Sequence, residues 1–312
     1  MQQPALSLWV QQRLGATLLE LKPVGGGCIH RAWELQLADG QRLFAKTNRA
    51  ELLPVLEAEA EGLSALGAVA HAAAGSGAVP QIPQPLACES VGDQAVLVLG
   101  WLELDAPRHG DRARAWRELG QGLARLHRAS CRASEPRFGW GRDNFIGSAA
   151  QPNGWQHSWS DFFIEQRLET QLRRAAAATG GVPGAAQLLK SLPAWLGNHH
   201  PEACLVHGDL WSGNAGLLAD GGAAVFDPAV YRGDREVDLA MARLFGGFPE
   251  IFFAGYEQEW PLPAGHRQRV DLYNLYHLLN HANLFGGGYW QQCAASVAAL
   301  NRGIPCAGSE PC

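Results

Sequence analysis

The chain has 312 residues, enough for two lobes that share a cleft and too few for much besides. Its formal net charge of -5, with 18% charged residues and no block of lysines, argues against a nucleic-acid or membrane-surface partner and mildly favours a cationic substrate. Residues 1–14 lack a basic segment followed by an apolar core, and no apolar run reaches membrane-spanning length. We therefore expect a soluble, cytoplasmic protein.

Seven cysteines are scattered along the chain, at positions 28, 88, 131, 204, 293, 306 and 312. Their number is odd and no two of them form a C-x-x-C pair, so the pattern predicts neither a disulfide framework nor a zinc site. We expect most of these side chains to be small buried groups or free thiols.

The first hundred residues have the pattern of a small, mostly β lobe. Two hairpin signals, Asp39-Gly40 and Gly92-Asp93, each separate two segments of strand character. The predicted elements are, in chain order, strands at 18–24, 30–37 and 42–46, a helix at 55–66, a flexible connection rich in Ala, Gly and Pro at 68–85, and strands at 86–88 and 94–99. Pro54 suits the first turn of the predicted helix.

Beyond a hinge at residues 100–104 the pattern becomes helical. Apolar residues recur at spacings of three and four from Trp116 to Leu126, which indicates a helix with one core-facing stripe. Further helices are predicted at 159–174, 235–245, 267–284 and 291–302, with an additional loop at 180–186 and a short tail at 303–312. The sequence therefore predicts an α+β, bilobal protein-kinase-like fold, with a β-rich nucleotide-binding lobe at 1–100 and a larger helical catalytic and substrate-binding lobe at 105–312.

The predicted β lobe carries two features that are typical of a nucleotide site. A glycine-rich turn, Gly25-Gly26-Gly27-Cys28, would let backbone amides approach phosphates, and Lys46 at the end of a strand would hold the α and β phosphates. That lysine needs a carboxylate opposite it, and helical periodicity alone leaves Glu57, Glu59 and Glu61 as candidates. Adenine would lie against the hinge, at Leu99, Gly100, Trp101 and Leu102.

The most informative stretch is LVHGDLWSGN at 205–214, followed by AVFDPA at 224–229. Asp209 and Asn214 follow a short apolar strand at the spacing with which kinases place the catalytic base and the second metal ligand. Asp227 follows a second strand, where kinases keep the principal magnesium ligand. A hydroxyl nucleophile needs a carboxylate that accepts its proton, while Mg²⁺ prefers oxygen ligands. The pattern therefore predicts phosphoryl transfer from ATP with Mg²⁺.

Together these segments resemble the fructosamine kinase family, also called ketosamine-3-kinases, in the aminoglycoside phosphotransferase-like branch of the kinase fold. The resemblance spans nearly the whole chain. The HGD and Asp227 segments are shared by the branch, whereas three segments point to this family: GGGCI at 25–29, DPAVY at 227–231 and LYHLLNHANLFG at 275–286. Ser212, Asp234 and Gly100 stand where relatives commonly have glycine, histidine and an acidic residue.

The resemblance implies a role for each residue of the predicted site. Glu59 is the partner of Lys46, Asp209 is the catalytic base, and Asn214 and Asp227 bind magnesium. The implied reaction is ATP-dependent phosphorylation of the 3-hydroxyl of a ketoamine, such as fructosamine or ribulosamine, free or protein-bound. The product is unstable and sheds its sugar portion, which would repair glycated amines.

A protonated amine that bears a polyhydroxy chain calls for aromatic faces and carboxylates beside the catalytic loop. Trp211 lies within that loop, and five further candidates come from segments that we expect to border it: Trp155, Trp159, Tyr231, Asp234 and Glu236. Each of these residues could instead pack or brace the lobe without contacting substrate.

Two other functions remain open. A kinase of another small hydroxylated amine, such as an aminoglycoside or a choline-like compound, would share the fold and the base. A pseudokinase that acts as a binding module would lack at least one of Lys46, Asp209, Asn214 and Asp227, and all four are present. Cys28 is either an inert thiol or a redox-active one, so we expect a monomer or a redox-linked homodimer.

Overall fold

The computed structural model describes residues 3–25, 29–105, 109–131 and 136–303. Gly26, Gly27 and Cys28 of the predicted glycine turn lie outside these ranges, as does most of the predicted tail. The described residues form a small lobe built on one sheet and a larger lobe of helices and short hairpins. This is the expected α+β, bilobal arrangement.

Five antiparallel strands form the sheet of the small lobe. They are β1 (Leu18–Val24), β2 (Arg31–Leu37), β3 (Arg42–Arg49), β4 (Pro85–Val91) and β5 (Gln94–Gly100), in the order β1-β2-β3-β5-β4. Both predicted hairpins are present, and their turns use Gly40 and Gly92 in the left-handed conformation that glycine tolerates. Lys46 lies on the central strand, paired with Ala32 on one side and Leu97 on the other.

A helix that the sequence pattern does not predict, α1 (Gln3–Leu14), covers one face of the sheet. Leu6, Trp9 and Val10 are buried there, in a cluster with sheet residues such as Leu35. Their spacing of three and four is that of one helix face. A stripe this short cannot be told from a strand by periodicity alone.

The helix predicted at 55–66 is longer than expected. α2 (Leu53–Ala73) has Pro54 in its first turn and continues well into the segment that was expected to be a flexible connection. That expectation is wrong for residues 68–73, because alanine, which dominates them, is the strongest helix former. The first half of α2 packs under the sheet, and its second half packs on the larger lobe.

The larger lobe contains the predicted helices and others besides. The helices are α3 (His109–Cys131), α4 (Trp159–Phe162), α5 (Thr170–Thr179), α6 (Ala185–Leu196), α7 (Glu236–Leu244), α8 (Glu250–Glu259), α9 (His266–Phe285) and α10 (Tyr289–Arg302), and a π-helical segment, Phe163–Glu169, joins α4 to α5. Pro193 inside α6 and Gly255 inside α8 weaken the sequence signal of both helices, which were not predicted. Within the described ranges, no helix has the length and apolar character that crossing a membrane requires.

Three short antiparallel pairs of strands also belong to the larger lobe. They are β6 (Asn144–Ile146) with β7 (Ala149–Gln151), β8 (Cys204–Val206) with β11 (Tyr231–Gly233), and β9 (Ala215–Leu217) with β10 (Ala223–Val225). β8 ends directly before the predicted catalytic loop, and β10 ends shortly before Asp227. Gln151 donates a hydrogen bond to the carbonyl of Ala229, which fixes the segment that follows Asp227.

One disulfide joins two of these elements. Cys131, the last residue of α3, pairs with Cys204, the first residue of β8, across a sequence separation of 73 residues. The expectation of no disulfide is therefore wrong for this pair, because two distant cysteines outside a motif carry no local signal of pairing. Cys88 and Cys293 are free, and burial raises the pKa of both thiols.

Candidate active site

Lys46 is buried in the cleft between the lobes and contacts two carboxylates. Its Nζ lies 2.8 Å from Oε1 of Glu59 and also donates to Oδ1 of Asp227. Burial by itself would lower the pKa of Lys46, but the two carboxylates outweigh burial and raise that pKa. The lysine is therefore a fixed cation, placed where β3, α2 and the strand before Asp227 converge.

The structure separates the three glutamates of α2 that periodicity could not. Glu59 is buried and faces Lys46; burial raises its pKa to about 7, and the lysine opposes that shift. Glu61 lies about 200° further around the helix and accepts a hydrogen bond from Nε1 of Trp140 at 2.8 Å. Glu57 lies near Cys88, whose pKa it helps to raise. Among the three, Glu59 is the partner of Lys46.

One buried carboxylate holds the backbone of the predicted catalytic loop, residues 207–214. Asp238 of α7 accepts hydrogen bonds from the N–H of His207 at 2.7 Å and from the N–H of Gly208 at 2.8 Å, and its Oδ2 lies 3.1 Å from Nε2 of His127. Gly208 has a φ of 79°, and a Cβ there would lie 2.1 Å from the carbonyl oxygen of Ala229. The turn therefore requires glycine.

His207 is a neutral histidine that braces the loop. Burial lowers its pKa. The N–H of Asp209 donates to its Nδ1 at 3.3 Å, so the ring proton is on Nε2, which donates to the carbonyl of Phe226 at 2.9 Å. The ring thus ties the loop to Phe226, the residue before Asp227.

Asp209, Asn214 and Asp227 come together where β8 and β10 end. The amide nitrogen of Asn214 donates to the carbonyl of Asp209 (2.8 Å), to Oδ2 of Asp209 (3.2 Å) and to the carbonyl of Asp227 (3.3 Å). Because these acceptors fix the orientation of the amide, Oδ1 of Asn214 is left for another partner. With the partly exposed carboxylate of Asp227, it forms a set of oxygen donors that fits Mg²⁺.

The two aspartates of this group are in unusual states. Asp227 has a φ of 57°, the only positive φ among the described non-glycine residues, and such a conformation costs about 1–3 kcal/mol unless surrounding contacts hold it. Burial and the charge of Asp227 raise the pKa of Asp209 to about 7. A carboxylate with a pKa in this range is well matched to accepting a proton near neutral pH.

The remaining predicted nucleotide residues lie along the sheet and its exit. A Cβ on Gly25 would meet no atom within 4 Å, and Leu99 is buried in the sheet core. Gly100, Trp101 and Leu102 are partly buried and lead from β5 to the larger lobe. Gly26, Gly27 and Cys28 fall outside the described residues, so their roles stay predictions from the sequence.

The six predicted substrate residues divide into two groups. Trp211 is 36% exposed and Trp155 is partly buried. The other four are no more than 4% exposed: Trp159, Tyr231, Asp234 and Glu236. Their burial leaves almost no surface for a ligand and favours the alternative that these four pack or brace the lobe.

Asp234 and Glu236 belong to a buried ionic network that the sequence pattern did not predict. Nε2 of His199 lies 2.6 Å from Oδ2 of Asp234, to which Tyr273 donates at 2.7 Å. Arg269 binds both oxygens of Glu236, at 2.7 and 2.8 Å. The histidine and the two carboxylates are close enough to share an ion, but the arginine and the tyrosine already use their oxygens. The network therefore ties α7 to α9.

Beside the predicted catalytic loop lies a set of exposed and partly exposed aromatic rings, which we call the aromatic face: Trp211, Phe245, His281, Phe285 and Tyr289. Phe245 connects them, with ring centroids 6.4 Å from Trp211 and 4.8 Å from His281. Only Trp211 was predicted. The other four come from the end of α7, from α9 and from α10, so no local pattern groups them.

A sheet lobe above a helical lobe, with acidic groups and a buried lysine at their junction, is the architecture of protein-kinase-like phosphotransferases, and this chain is one of them. The model of the fructosamine kinase family matches residues 1–302, and the chain belongs to that family. It is therefore a kinase that uses ATP and transfers a phosphoryl group to an alcohol.

Individual relatives agree with this assignment. A Synechocystis protein named "Probable ketoamine kinase" is 45% identical over 274 residues, which cover 88% of this chain and 87% of that protein. "Protein-ribulosamine 3-kinase, chloroplastic" of Arabidopsis thaliana is 35% identical over 286 residues, 90% of this chain and 82% of that protein. The crystal structure of a "putative fructosamine-3-kinase" from Thermobifida fusca is 30% identical in sequence and has a TM-score of 0.80, and the match covers 95% of this chain and 98% of that chain.

Proposed function

We propose that this enzyme uses ATP and magnesium to phosphorylate the 3-hydroxyl of a ketoamine, the rearranged adduct of a sugar and an amine. The observation that carries the proposal is that one loop joins the base, a metal ligand and an exposed ring. Asp209 accepts from Asn214 through its carboxylate and from the N–H of Trp211 through its carbonyl. The names of the ketoamine and ribulosamine kinases among the relatives support the substrate class and the position.

In this proposal Asp209 accepts the proton of the acceptor hydroxyl while the hydroxyl oxygen attacks the γ-phosphorus. The new O–P bond forms as the bond to the leaving ADP breaks. Lys46, held by Glu59, would neutralise the α and β phosphates. Asn214 and Asp227 would hold magnesium, which supplies further neutralisation of phosphate charge when bound.

The aromatic face gives a physical reason for an acceptor that carries an amine. A ketoamine has a protonated secondary amine next to its ketone, and such a cation is attracted to the faces of aromatic rings. Trp211 is two residues from Asp209 in the chain. A ketoamine whose ammonium group lay on this ring would therefore have its neighbouring hydroxyls near Asp209. The negative formal charge of the chain favours the same class of ligand.

Phosphate at the 3-position would lie on the carbon next to the ketone of the acceptor. Such a product is expected to be unstable and to release its sugar portion, so that the free amine is regenerated. The biological consequence of the proposed reaction is thus the removal of sugars from glycated amines. Release of free amine after phosphorylation measures this step separately from ATP turnover.

The proposal is tested by ATP turnover with purified enzyme and a panel of acceptors. The panel contains fructosyl, ribulosyl and erythrulosyl amines, an aminoglycoside and choline, with Asp209→Asn as the inactive reference. We expect kcat/KM to be at least about tenfold higher for one of the ketoamines than for the aminoglycoside or choline. A preference for either of the latter would assign the enzyme to another small hydroxylated amine, and no turnover with any acceptor would favour a binding module.

A further inference from the structure

The helix that carries Glu59 is part of the cores of both lobes. On the side of the sheet, Leu56 and Leu63 of α2 lie in one cluster with Leu97. Further along the helix, Leu66 and Ala70 lie in a second cluster that belongs to the larger lobe, with members from α3, β8 and the segment after Asp227: Leu126, Leu205 and Val230. A helix buried in this way cannot swing with the sheet alone, because doing so would expose apolar surface.

Glu61 links the same helix to the larger lobe by polar contacts. Its Oε1 accepts from Nε1 of Trp140 at 2.8 Å, and its Oε2 lies 2.6 Å from Nε of Arg142. Trp140 is itself fixed to the larger lobe, since its N–H donates to the carbonyl of Asn153 at 3.0 Å and its ring packs on the second cluster. The hydrogen-bond partner of Glu61 on the larger lobe, Trp140, is therefore itself held in place.

The next residue shows how closely the helix approaches the site. A Cβ on Gly62 would lie 3.1 and 3.2 Å from the two methyl carbons of Val230 and 3.3 Å from Cγ of Pro228. Pro228 directly follows Asp227. The position of α2 is thus coupled by contact to the segment that presents the proposed metal ligand, and a small displacement of the helix would be felt there.

From these contacts we infer that Glu61 is a positioning residue for phosphoryl transfer: it holds α2 against the larger lobe so that Glu59, on the opposite side of the helix, keeps Lys46 directed at the phosphates. The inference rests on the roles proposed for Lys46 and Glu59. It implies that the lysine–glutamate pair is assembled permanently and needs no activation step. Glu61 acts through Glu59 and contacts neither ATP nor the acceptor.

The two bonds of Glu61 contribute unequally. The side chains of Glu61 and Arg142 are 38% and 45% exposed, and an ion pair that exposed contributes little. The indole hydrogen bond is partly buried and ends on a charged acceptor, which makes it the stronger of the two. Removing the indole donor should therefore matter more than removing the guanidinium.

The experiment compares steady-state kinetics of Glu61→Ala, Glu61→Gln, Trp140→Phe and Arg142→Ala with Glu57→Ala as the matched control on the same helix. We expect Glu61→Ala and Trp140→Phe to raise KM for ATP about tenfold and to leave KM for the acceptor unchanged. Glu61→Gln retains an acceptor for Trp140 and should rescue most of the loss. Arg142→Ala and Glu57→Ala should stay near wild type. Equal rises in both KM values, or loss of thermal stability with an unchanged KM for ATP, would overturn the inference.

A double-mutant cycle with Glu59→Gln tests whether the effect of Glu61 depends on Glu59. If Glu61 acts through Glu59, adding Glu61→Ala to Glu59→Gln should raise KM for ATP by less than about twofold further. If the two effects multiply, the positioning role is wrong while the proposed pair stands. If Glu59→Gln alone leaves KM for ATP unchanged, the proposed role of Glu59 is wrong and the inference falls with it. Trp140→Phe replaces Glu61→Ala in the same cycle if the latter does not fold.

Discussion

The catalytic loop and the aromatic face lie side by side and are built in opposite ways. The loop is one contiguous stretch in which the buried Asp238 accepts from the N–H groups of His207 and Gly208, and Asn214 donates to Asp209, the proposed base. The face is assembled from distant segments, and its rings, which contact one another, are exposed or partly exposed. The loop therefore has little freedom to change, whereas the face can be altered without moving the base.

This difference suggests a division of labour that can be tested. Hydrogen bonds in the loop fix the atoms that would transfer the phosphoryl group, so substitutions there should act on turnover or on the nucleotide. Rings of the face would bind the acceptor amine, so substitutions there should act on KM for the acceptor. A loop variant that changed KM for the acceptor, or a face variant that changed turnover or nucleotide binding, would contradict this division.

The largest effect is expected for Asp209→Asn. Loss of the base should lower kcat by about 10²-fold to 10⁴-fold while ATP affinity stays near wild type, because the carboxylate faces the acceptor rather than the nucleotide. Steady-state turnover and nucleotide titration measure the two quantities. Asp220→Asn, in the exposed turn between β9 and β10, is the matched control and should be unaffected. Retention of more than about a tenth of wild-type turnover would show that Asp209 is not the base.

Asp227→Ala should fail in a different way. Because Asp227 is proposed to hold magnesium and also contacts Lys46, the variant should lose the magnesium-dependent part of ATP affinity together with at least about 10²-fold in kcat/KM. Calorimetric titration of ATP with and without magnesium measures the first effect. An unchanged magnesium dependence would remove Asp227 from the metal site.

A smaller and more selective effect is expected in the aromatic face. Trp211→Ala should raise KM for a ketoamine about fivefold to thirtyfold, the range of a cation–π contact, and leave KM for ATP unchanged. Phe285→Ala, at the edge of the face, should show a weaker form of the same effect. If Trp211→Ala lowered kcat as strongly as Asp209→Asn, the ring would belong to the catalytic loop in function as well as in sequence.

Beneath the face, His277 of α9 links stability to pH. Burial lowers its pKa to about 3 in the folded protein, below its ordinary value of 6.5, so the unfolded chain takes up the proton first as pH falls. The stability contributed by the neutral ring is present above pH 6.5 and is lost below it, by about 2 kcal/mol at pH 5.

Urea unfolding of wild type and His277→Leu at pH 7.5 and pH 5 checks this effect. Nδ1 of His277 has no hydrogen-bond partner among the described residues, so leucine removes the titration without breaking a hydrogen bond of that atom. Wild type should lose about 2 kcal/mol more than the variant between the two pH values. Equal losses would place the pKa of His277 near its ordinary value.

The sequence predicts the loop better than the face for a physical reason. Asp209, Asn214 and Asp227 must meet within one strand–loop–strand unit, so their spacing is visible in the chain. The choice of Glu59 over Glu57 and Glu61 depends on which way α2 faces, which periodicity alone did not decide. The side of α2 that faces Lys46 is set by the contacts of this helix with the two lobes.

The features that the sequence pattern did not predict are contacts between distant segments. The disulfide joins the end of α3 to β8, and the ionic network brings His199 to Asp234 from another part of the chain. The aromatic face is of the same kind. The sheet, in contrast, follows from local hairpin signals, which is why β1 to β5 were predicted. Burial of Trp159 and Tyr231 depends on distant contacts, so the sequence left it as one of two alternatives.

We propose that Asp209 directs phosphate to the 3-hydroxyl of a ketoamine. Phosphorus NMR of the product made from ATP and the best ketoamine of the panel locates the phosphate, with Asp209→Asn as the blank. We expect a phosphate signal coupled to the proton on carbon 3 for the wild-type enzyme and none for the variant. A phosphate on another carbon, or the same product from the variant, would contradict it.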